Sequence, residues 1–306
     1  MLRAVAKTDS SMHVDSTKEA RSNDRGSRHT LFHAVWLAAN VLLLLSILAT
    51  AYSVVWEYST RRYLRGFSDA IVPAAGGPEE KIEAILHWMA NGPARRDAPP
   101  DGSLRDPTET LNYASLLKVC GSATNAFLNL ADSAGLSSRR LLLLDSRRLT
   151  VHVVAEVLVD GRWIVVDPAF RTILRDSSGG MLTRQQLADT ATFAVATAGI
   201  SGYDPSYTYT RTVHVRLSRI GPAGPMLRTL FNHVAPGWED SMTTSLLLER
   251  ESLATLTIAI LMVMLLALIR VFLRWYGAHR WGIHPLQMRA RVYRAVNAFL
   301  DPGTTP

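Results

Sequence analysis

The sequence contains one cysteine, Cys120, and two residues that could activate it, His152 and Asp167, follow along the chain. A cysteine attacks as the thiolate, so it needs a base that takes its proton, and the base needs an acceptor that orients it. A cysteine, a histidine and an aspartate therefore predict nucleophilic attack on a carbonyl carbon if folding brings them together. Cys120 would be the nucleophile, His152 the base and Asp167 the orienting acceptor.

The residues that follow Cys120 predict a helix that ends near Gly135. The thiol would then lie at the helix N-terminus, where backbone N–H groups and the helix dipole stabilise a thiolate. The same N–H groups could hold the oxyanion that forms when a thiolate attacks a carbonyl. Asn112 and Tyr113 are the nearest upstream candidates for a second oxyanion donor, and Lys118 places a cation two residues before the thiol.

His152 and Asp167 lie on segments that predict a β-hairpin. Residues 150–159 are rich in β-branched side chains, Asp160-Gly161 is a two-residue turn signal, and the return strand follows it. With a two-residue turn, counting along the ladder makes His152 and Asp167 diagonal neighbours on one face. A slip of one residue would separate them, so the turn decides whether they meet.

The two faces of this hairpin differ in polarity. One face would carry His152, Glu156, Trp163 and Asp167, and the other is apolar, with Val151, Val153, Ala155, Val157, Ile164 and Val166. Glu156 lies four residues beyond His152 along the same strand, too far to touch it, which favours a structural hydrogen bond or ion pair. Trp163 is expected to pack beside the site, with a wall of an acyl pocket as the alternative.

These motifs together resemble the transglutaminase-like superfamily. They are Val119-Cys120-Gly121, His152-x-x-Ala155-Glu156-Val157, Asp160-Gly161-Arg162-Trp163 and Val166-Asp167-Pro168, in that order. The resemblance, closest to membrane-anchored bacterial members, implies an α+β fold with a papain-like core, in which the helix bearing the cysteine packs on an antiparallel sheet. It also implies a catalytic Cys120-His152-Asp167 triad and amide chemistry through a thioester. Transamidation, peptide hydrolysis and deglycosylation all stay open.

Two other functions compete with this interpretation. Zinc uses cysteine and histidine too, but a zinc site needs three or four ligands at characteristic spacing, whereas the sequence has no second cysteine and no close histidine pair. No metal and no cofactor are therefore expected, and His87, His214 and His233 are interpreted as ordinary surface or core residues. The remaining alternative is a non-catalytic module whose cleft binds peptide or glycan in a cell-envelope assembly.

Two uncharged apolar runs predict transmembrane helices at residues 31–56 and 253–273, the second extended past Arg270 by snorkelling. They would enclose a domain at 57–252, with a disordered cytoplasmic tail at 1–30 and a basic cytoplasmic tail at 274–306. A cleaved signal peptide is the alternative for the first run, because Ala49-Thr50-Ala51 resembles a cleavage site. The long polar leader and the length of the apolar run favour an uncleaved anchor.

Charge predicts orientation and partners. Residues 57–252 hold 21 basic and 21 acidic side chains, so the net charge of +7 lies in the terminal segments. Eight basic residues flank the two runs on their terminal sides against four on the inner sides, which predicts cytoplasmic termini and an extracytoplasmic domain. The expected partners are the lipid bilayer, a peptide or protein amide substrate and, from topology alone, proteins of cell-envelope or polysaccharide assembly. Nucleic acid is not expected, because the basic residues sit beside apolar segments.

Several further elements are predicted from local pattern alone. They are a helix at Pro78–Met89, a loop at Ala94–Pro107, a buried strand at Arg139–Asp145, a helix from Thr183, a half-buried strand at Tyr207–Leu217 and, at Leu286–Leu300, either an interfacial helix or a solvated tail.

Overall fold

The structure is a computed structural model and describes residues 9–93, 106–215, 223–236, 238, 249–281, 293–294 and 296–297. The chain divides into two compact units, one of residues 53–256 and one of residues 1–52 with 257–306. The named helices are α1 (Asp9–Ile71), α2 (Pro78–Asn91), α3 (Pro107–Thr110), α4 (Cys120–Ser133), α5 (Arg184–Leu187), α6 (Thr190–Thr197), α7 (Ala223–Val234) and α8 (Glu251–Trp281). The strands are β1 (Ser138–Leu144), β2 (Thr150–Val159), β3 (Arg162–Asp167), β4 (Thr172–Ile173) and β5 (Thr212–Val213).

Two of these helices are long and apolar enough to cross a membrane. The candidate spans are Thr30–Ile71 in α1 and Glu251–Arg280 in α8, and only 11% and 6% of their most apolar windows are buried. A core helix of a soluble protein would be mostly buried, so the low burial favours spans. In the unit formed by residues 1–52 and 257–306, a Cβ added to Gly277 would lie 2.6 Å from Cζ of Phe32. Glycine therefore allows α1 and α8 to approach closely at that point.

Both helices extend beyond the predicted spans. α1 begins at Asp9, so residues 9–30, for which the sequence predicts disorder, are helical in the structure. Once an apolar segment has nucleated a helix, each added residue needs only the cheaper propagation step, which explains a polar extension. Most of the interfacial helix or tail predicted at 286–300, and nearly all of the loop predicted at 94–107, lie outside the described residues.

The domain core is an antiparallel five-stranded sheet in the order β4-β3-β2-β1-β5. Asp160 and Gly161 have φ angles of 48° and 77°, the left-handed values of the two-residue turn that Asp-Gly favours. Val159 accordingly pairs with Arg162, the register expected from the sequence. The α+β fold, with a sheet and helices between two apolar helices, is confirmed.

The sheet buries both of its faces. One face packs against α2 and α4, and its buried residues include Val157, Ile164 and Val166 opposite Phe127 and Leu130. The other face packs against the chain that follows β4, where Leu174, Leu182, Phe193, Tyr203 and Tyr209 cover Leu141, Leu143, Val154 and Val165. Successive side chains of each strand point to opposite faces of the sheet, so the hairpin contributes residues to two separate cores.

The half-buried strand expected at 207–217 is much shorter in the structure. Only Thr212–Val213 forms a strand, paired with Leu142 and Leu143, and residues 216 and 217 lie outside the described residues. The tyrosines before it turn towards the sheet instead, with Tyr203 and Tyr209 buried in the core. The residues before Thr212 therefore bury aromatic rings in the core instead of forming the backbone hydrogen bonds of the predicted strand.

Candidate active site

Cys120 is the first residue of α4 and is partly buried. The helix ends as predicted, with Gly135 at a φ of 78° and the N–H of Leu136 donating to the Ala131 carbonyl at 2.8 Å. One turn after the thiol, the Thr124 hydroxyl donates to the Val153 carbonyl at 3.0 Å, which fixes α4 against β2. The thiol is therefore presented by a helix N-terminus that is attached to the strand carrying His152.

His152 and Asp167 meet on the hairpin as the register predicts. Nε2 of His152 lies 2.7 Å from Oδ2 of Asp167, and the two side chains are 3% and 0% exposed. The other carboxylate oxygen, Oδ1, accepts the backbone N–H groups of Ala169 and Phe170 at 3.1 Å and 3.3 Å. With Nε2 facing Asp167, Nδ1 is the ring nitrogen left for the thiol.

An irregularity in β2 lies directly beside His152. His152 pairs with Leu143, but the next residue of β1, Leu144, pairs with Thr150, so Val151 is an extra residue. Such bulges bend a strand and re-aim its side chains, and they occur next to active sites. Val151 and Val119, which precede His152 and Cys120 in the chain, are 41% and 56% exposed, so apolar side chains flank both residues in sequence.

The thiol of Cys120 and the imidazole of His152 shift each other's pKa. The hydrogen bond with His152 lowers the pKa of Cys120 despite partial burial, and the backbone N–H groups of Val153 and Gly121 act in the same direction. Burial alone would favour a neutral imidazole, but hydrogen bonds with Asp167 and Cys120 outweigh it and raise the pKa of His152 to about 9. The arrangement thus favours a thiolate beside an imidazolium, which is the reactive form of a cysteine nucleophile.

The geometry agrees with a family comparison. A sequence model of the transglutaminase-like superfamily matches residues 65–168. This segment belongs to the transglutaminase-like superfamily. It runs from the end of α1 to the residue after β3 and contains Cys120, His152 and Asp167. No curated protein and no solved structure matches the chain at a significant level.

Beyond the matched segment, the transglutaminase-like domain adds aromatic residues that sequence reasoning missed. The rings of Phe170, Tyr203 and Tyr207 all contact His152. The Tyr203 hydroxyl lies 3.1 Å from the Tyr209 hydroxyl, and Asp167 is close enough to Tyr203 to act on its pKa. Burial, with Tyr209 and Asp167 nearby, raises the pKa of Tyr203, so this phenol stays neutral beside the carboxylate. The one sequence signal was the run of tyrosines, and it predicted a strand.

Glu156 takes part in a separate buried cluster. Its Oε2 accepts from Nε of Arg139 at 2.7 Å and lies 2.8 Å from Nε2 of His214, and all three side chains are buried. The Arg139 guanidinium lies 4.0 Å from the ring centroid of Trp163. Glu156 thus forms ion pairs away from His152, and Trp163 packs on Arg139. His214, interpreted as an ordinary residue, is a buried partner of Glu156.

Glu156→Gln should lower the stability of the domain without changing the reactivity of Cys120. The substitution leaves a buried arginine without its carboxylate, at a cost of about 1–3 kcal/mol in the free energy of unfolding. Denaturant unfolding followed by tryptophan fluorescence measures the first effect, and alkylation of the single cysteine measures the second. A slower alkylation of folded Glu156→Gln protein would contradict the structural role.

The upstream candidates for an oxyanion donor have other surroundings. The Asn112 side-chain amide donates to the Thr108 carbonyl at 2.7 Å, and Tyr113 is 3% exposed. Lys118 is exposed at the end of a 3₁₀ turn, Leu116–Lys118. Among the described residues of the first turn of α4, the backbone N–H group that acts on the thiol is that of Gly121. Within the residues that the structure describes, no group of three or more His, Cys, Asp or Glu side chains could hold a metal ion.

Proposed function

We propose that the chain is a membrane-anchored cysteine enzyme that acts on amide or peptide bonds through a thioester. The observation that carries the proposal is the hydrogen-bonded pair of His152 and Asp167 beside a thiol, Cys120, whose pKa His152 lowers, at a helix N-terminus in a transglutaminase-like domain. Cys120 is assigned as nucleophile, His152 as acid and base, and Asp167 as the residue that orients the imidazole.

The reaction follows from these roles. The Cys120 thiolate attacks the carbonyl carbon, and the N–H groups at the start of α4 stabilise the oxyanion. The His152 imidazolium then protonates the amide nitrogen as the C–N bond breaks, which releases an amine and leaves a thioester on Sγ. Water or a second amine attacks the thioester, His152 takes the proton, and the products are an acid or a new amide and the free thiol.

The anchoring is the second part of the proposal. The helices that contain Thr30–Ile71 and Glu251–Arg280 are long and apolar enough to cross a membrane on either side of the domain in sequence. The excess of basic residues on their terminal sides supports cytoplasmic termini and an extracytoplasmic domain. A substrate in the cell envelope, and partners there, fit this topology. A non-catalytic module that binds peptide or glycan is the alternative from another class, and it would share the same fold.

Reactivity separates the enzyme from the binding module. Cys120 is the only cysteine in the chain, so iodoacetamide incorporation into the full-length protein in detergent micelles reports this thiol alone. We expect alkylation at pH 6 to be at least about tenfold faster than that of a free model thiol, because the thiolate already predominates in the ion pair. A rate equal to that of the model thiol would reject the enzyme assignment, and Cys120→Ala is the control for unspecific labelling.

The pH dependence has an expected sign on both sides. Below the lowered pKa of Cys120 the thiolate is protonated and activity falls. Above about 9 the His152 imidazolium loses its proton and can no longer protonate the leaving amine, so turnover falls again. Release of amine from glutamine-containing peptides with apolar neighbours, chosen because Val119 and Val151 are exposed, should follow this bell-shaped profile. A turnover that keeps rising beyond pH 10 would contradict the role of His152 as acid.

A further inference from the structure

One of the three rings around His152 differs from the others in its orientation. The ring of Tyr207 is parallel to the imidazole, with centroids 4.5 Å apart and an interplanar angle of 6°. Phe170 and Tyr203 meet the imidazole edge-on, at 5.9 Å and 6.0 Å with angles of 60° and 78°. Tyr207 is therefore the ring that presents its π face to His152.

A tight turn holds Tyr207 in this position. Its backbone N–H donates to the Asp204 carbonyl at 3.2 Å, and the Asp204 side chain accepts the N–H of Ser206 at 2.8 Å. Tyr203 supports the ring from the side, with centroids 5.5 Å apart and an angle of 81°. Tyr207 is partly buried, so its ring also forms part of the surface beside the thiol and imidazole.

Stacking affects both the plane and the charge of the imidazole. The π face of a phenol carries negative charge density, so it attracts a cation placed over it. A parallel contact at 4.5 Å also resists rotation of the imidazole about its own bond to Cβ. The other charged or titratable groups that face His152 are Cys120 from α4, Asp167 from β3, and Tyr203 and Asp204 from the segment before Tyr207.

We propose that Tyr207 is a positioning residue for His152, which holds the imidazole plane in line with Cys120 and Asp167 and favours its cationic form. The inference rests on the proposed function, because it assigns a role in the same proton transfer. Tyr207 lies outside the segment 65–168 that matches the transglutaminase-like superfamily, so the family match does not supply this residue. Residues beyond the matched segment would then complete the site.

The test compares Tyr207→Leu, which removes the π face, with Tyr207→Phe, which keeps it. The full chain is titrated with acid and base in detergent micelles. The alkylation rate of Cys120 reports the thiolate. The histidine NMR signals report the imidazolium, and the signal of His152 is assigned by comparison with His152→Gln. In Tyr207→Leu we expect the thiolate to form at a pH higher by roughly half to one unit, and the imidazolium to lose its proton at a pH lower by the same amount. Tyr207→Phe should keep both wild-type midpoints.

Each result supports or overturns the proposal. Wild-type midpoints in Tyr207→Leu would mean that the ring only fills space, and equal shifts in Tyr207→Leu and Tyr207→Phe would assign the effect to the hydroxyl group; either overturns it. If Tyr207→Leu fails to unfold cooperatively, Tyr207→Met replaces it, because it also removes the π face, and the same two shifts are expected. Failure of the proposed function itself would look different, because the wild-type thiol would then titrate like a free cysteine.

Discussion

Asp167→Asn should lower turnover by about 10³–10⁴-fold while the domain stays folded, by the logic of catalytic triads in which the acid fixes the imidazole tautomer. Oδ1 of Asp167 already accepts two backbone N–H groups, from Ala169 and Phe170. In the variant the amide oxygen must stay with those donors, which turns the amide NH₂ towards Nε2 of His152. Nε2 then has to accept, so the proton of the neutral imidazole moves to Nδ1, the nitrogen that faces the thiol.

This tautomer cannot take the proton of Cys120, so the variant should lose the ion pair as well as turnover. Two measurements check the prediction. Alkylation of Cys120 at pH 6 should slow by about tenfold or more, towards the rate of a free thiol, and the pH at which the imidazolium titrates should fall because its carboxylate partner is gone. Denaturant unfolding of the same sample serves as the control for folding, since Asp167 is fully buried. Alkylation at the wild-type rate by a folded variant would show that Asp167 does not orient His152.

The pairing of His152 with Asp167 could be predicted because it depends on local pattern. Asp160-Gly161 specifies a two-residue turn, the turn fixes the register, and the register places both side chains on one face. The position of Cys120 at a helix start likewise follows from the residues after it. These features need no information from distant parts of the chain.

The aromatic surroundings of His152 could not be predicted in the same way. Tyr207 and Tyr209 alternate with polar residues, a pattern typical of a half-buried strand, but the segment is irregular until Thr212. Its conformation is set by burial against the sheet face and by contacts with Asp167. The sheet residues and Asp167 are distant from this segment in sequence. Tertiary packing therefore overrides a local preference for strand.

The count of basic residues beside the predicted spans also could not show which of these side chains are buried by tertiary packing. Arg250 is one of the four basic residues that the count places on the inner flanks, with Arg61, Arg62 and Arg65. In the structure it is 3% exposed and binds Glu57, which lies in α1. A buried ion pair contributes less to a flank bias than a solvated arginine, so the count alone overstates the inner charge.

Arg250 is the centre of a buried polar network on α4, the helix that carries Cys120. Its guanidinium donates to Glu57 at 3.1 Å, to Asn129 at 3.0 Å and to Asp132 at 3.2 Å. Glu57 also accepts from the Ser252 hydroxyl at 2.6 Å. Asn129 is fully buried and Glu57 is 4% exposed, so water is largely excluded from these groups. The network joins α4 to the residues at the start of α8 and to α1 within the unit 53–256.

Arg250→Ala should therefore destabilise the domain strongly. Removing Arg250 leaves the buried carboxylate of Glu57 with an exposed arginine, Arg61, as its remaining ion-pair partner. Breaking a buried ion pair in this way costs up to about 3–5 kcal/mol. The matched control is Arg61→Ala, because Arg61 also binds Glu57, at 2.5 Å, but its side chain is 61% exposed. An exposed ion pair contributes about 0–1 kcal/mol, so this variant should unfold nearly as the wild type does. Denaturant unfolding in micelles, followed by tryptophan fluorescence, compares the two.

A double variant separates the ion pair from packing. If the cost of Arg250→Ala comes from the carboxylate of Glu57 that has lost its buried partner, then adding Glu57→Leu should recover part of the lost stability, because an apolar replacement removes the buried charge. If the cost comes from lost packing of the arginine stem, the second substitution should add to the loss. Equal destabilisation by Arg250→Ala and Arg61→Ala would contradict both accounts, since burial is the property that distinguishes the two arginines.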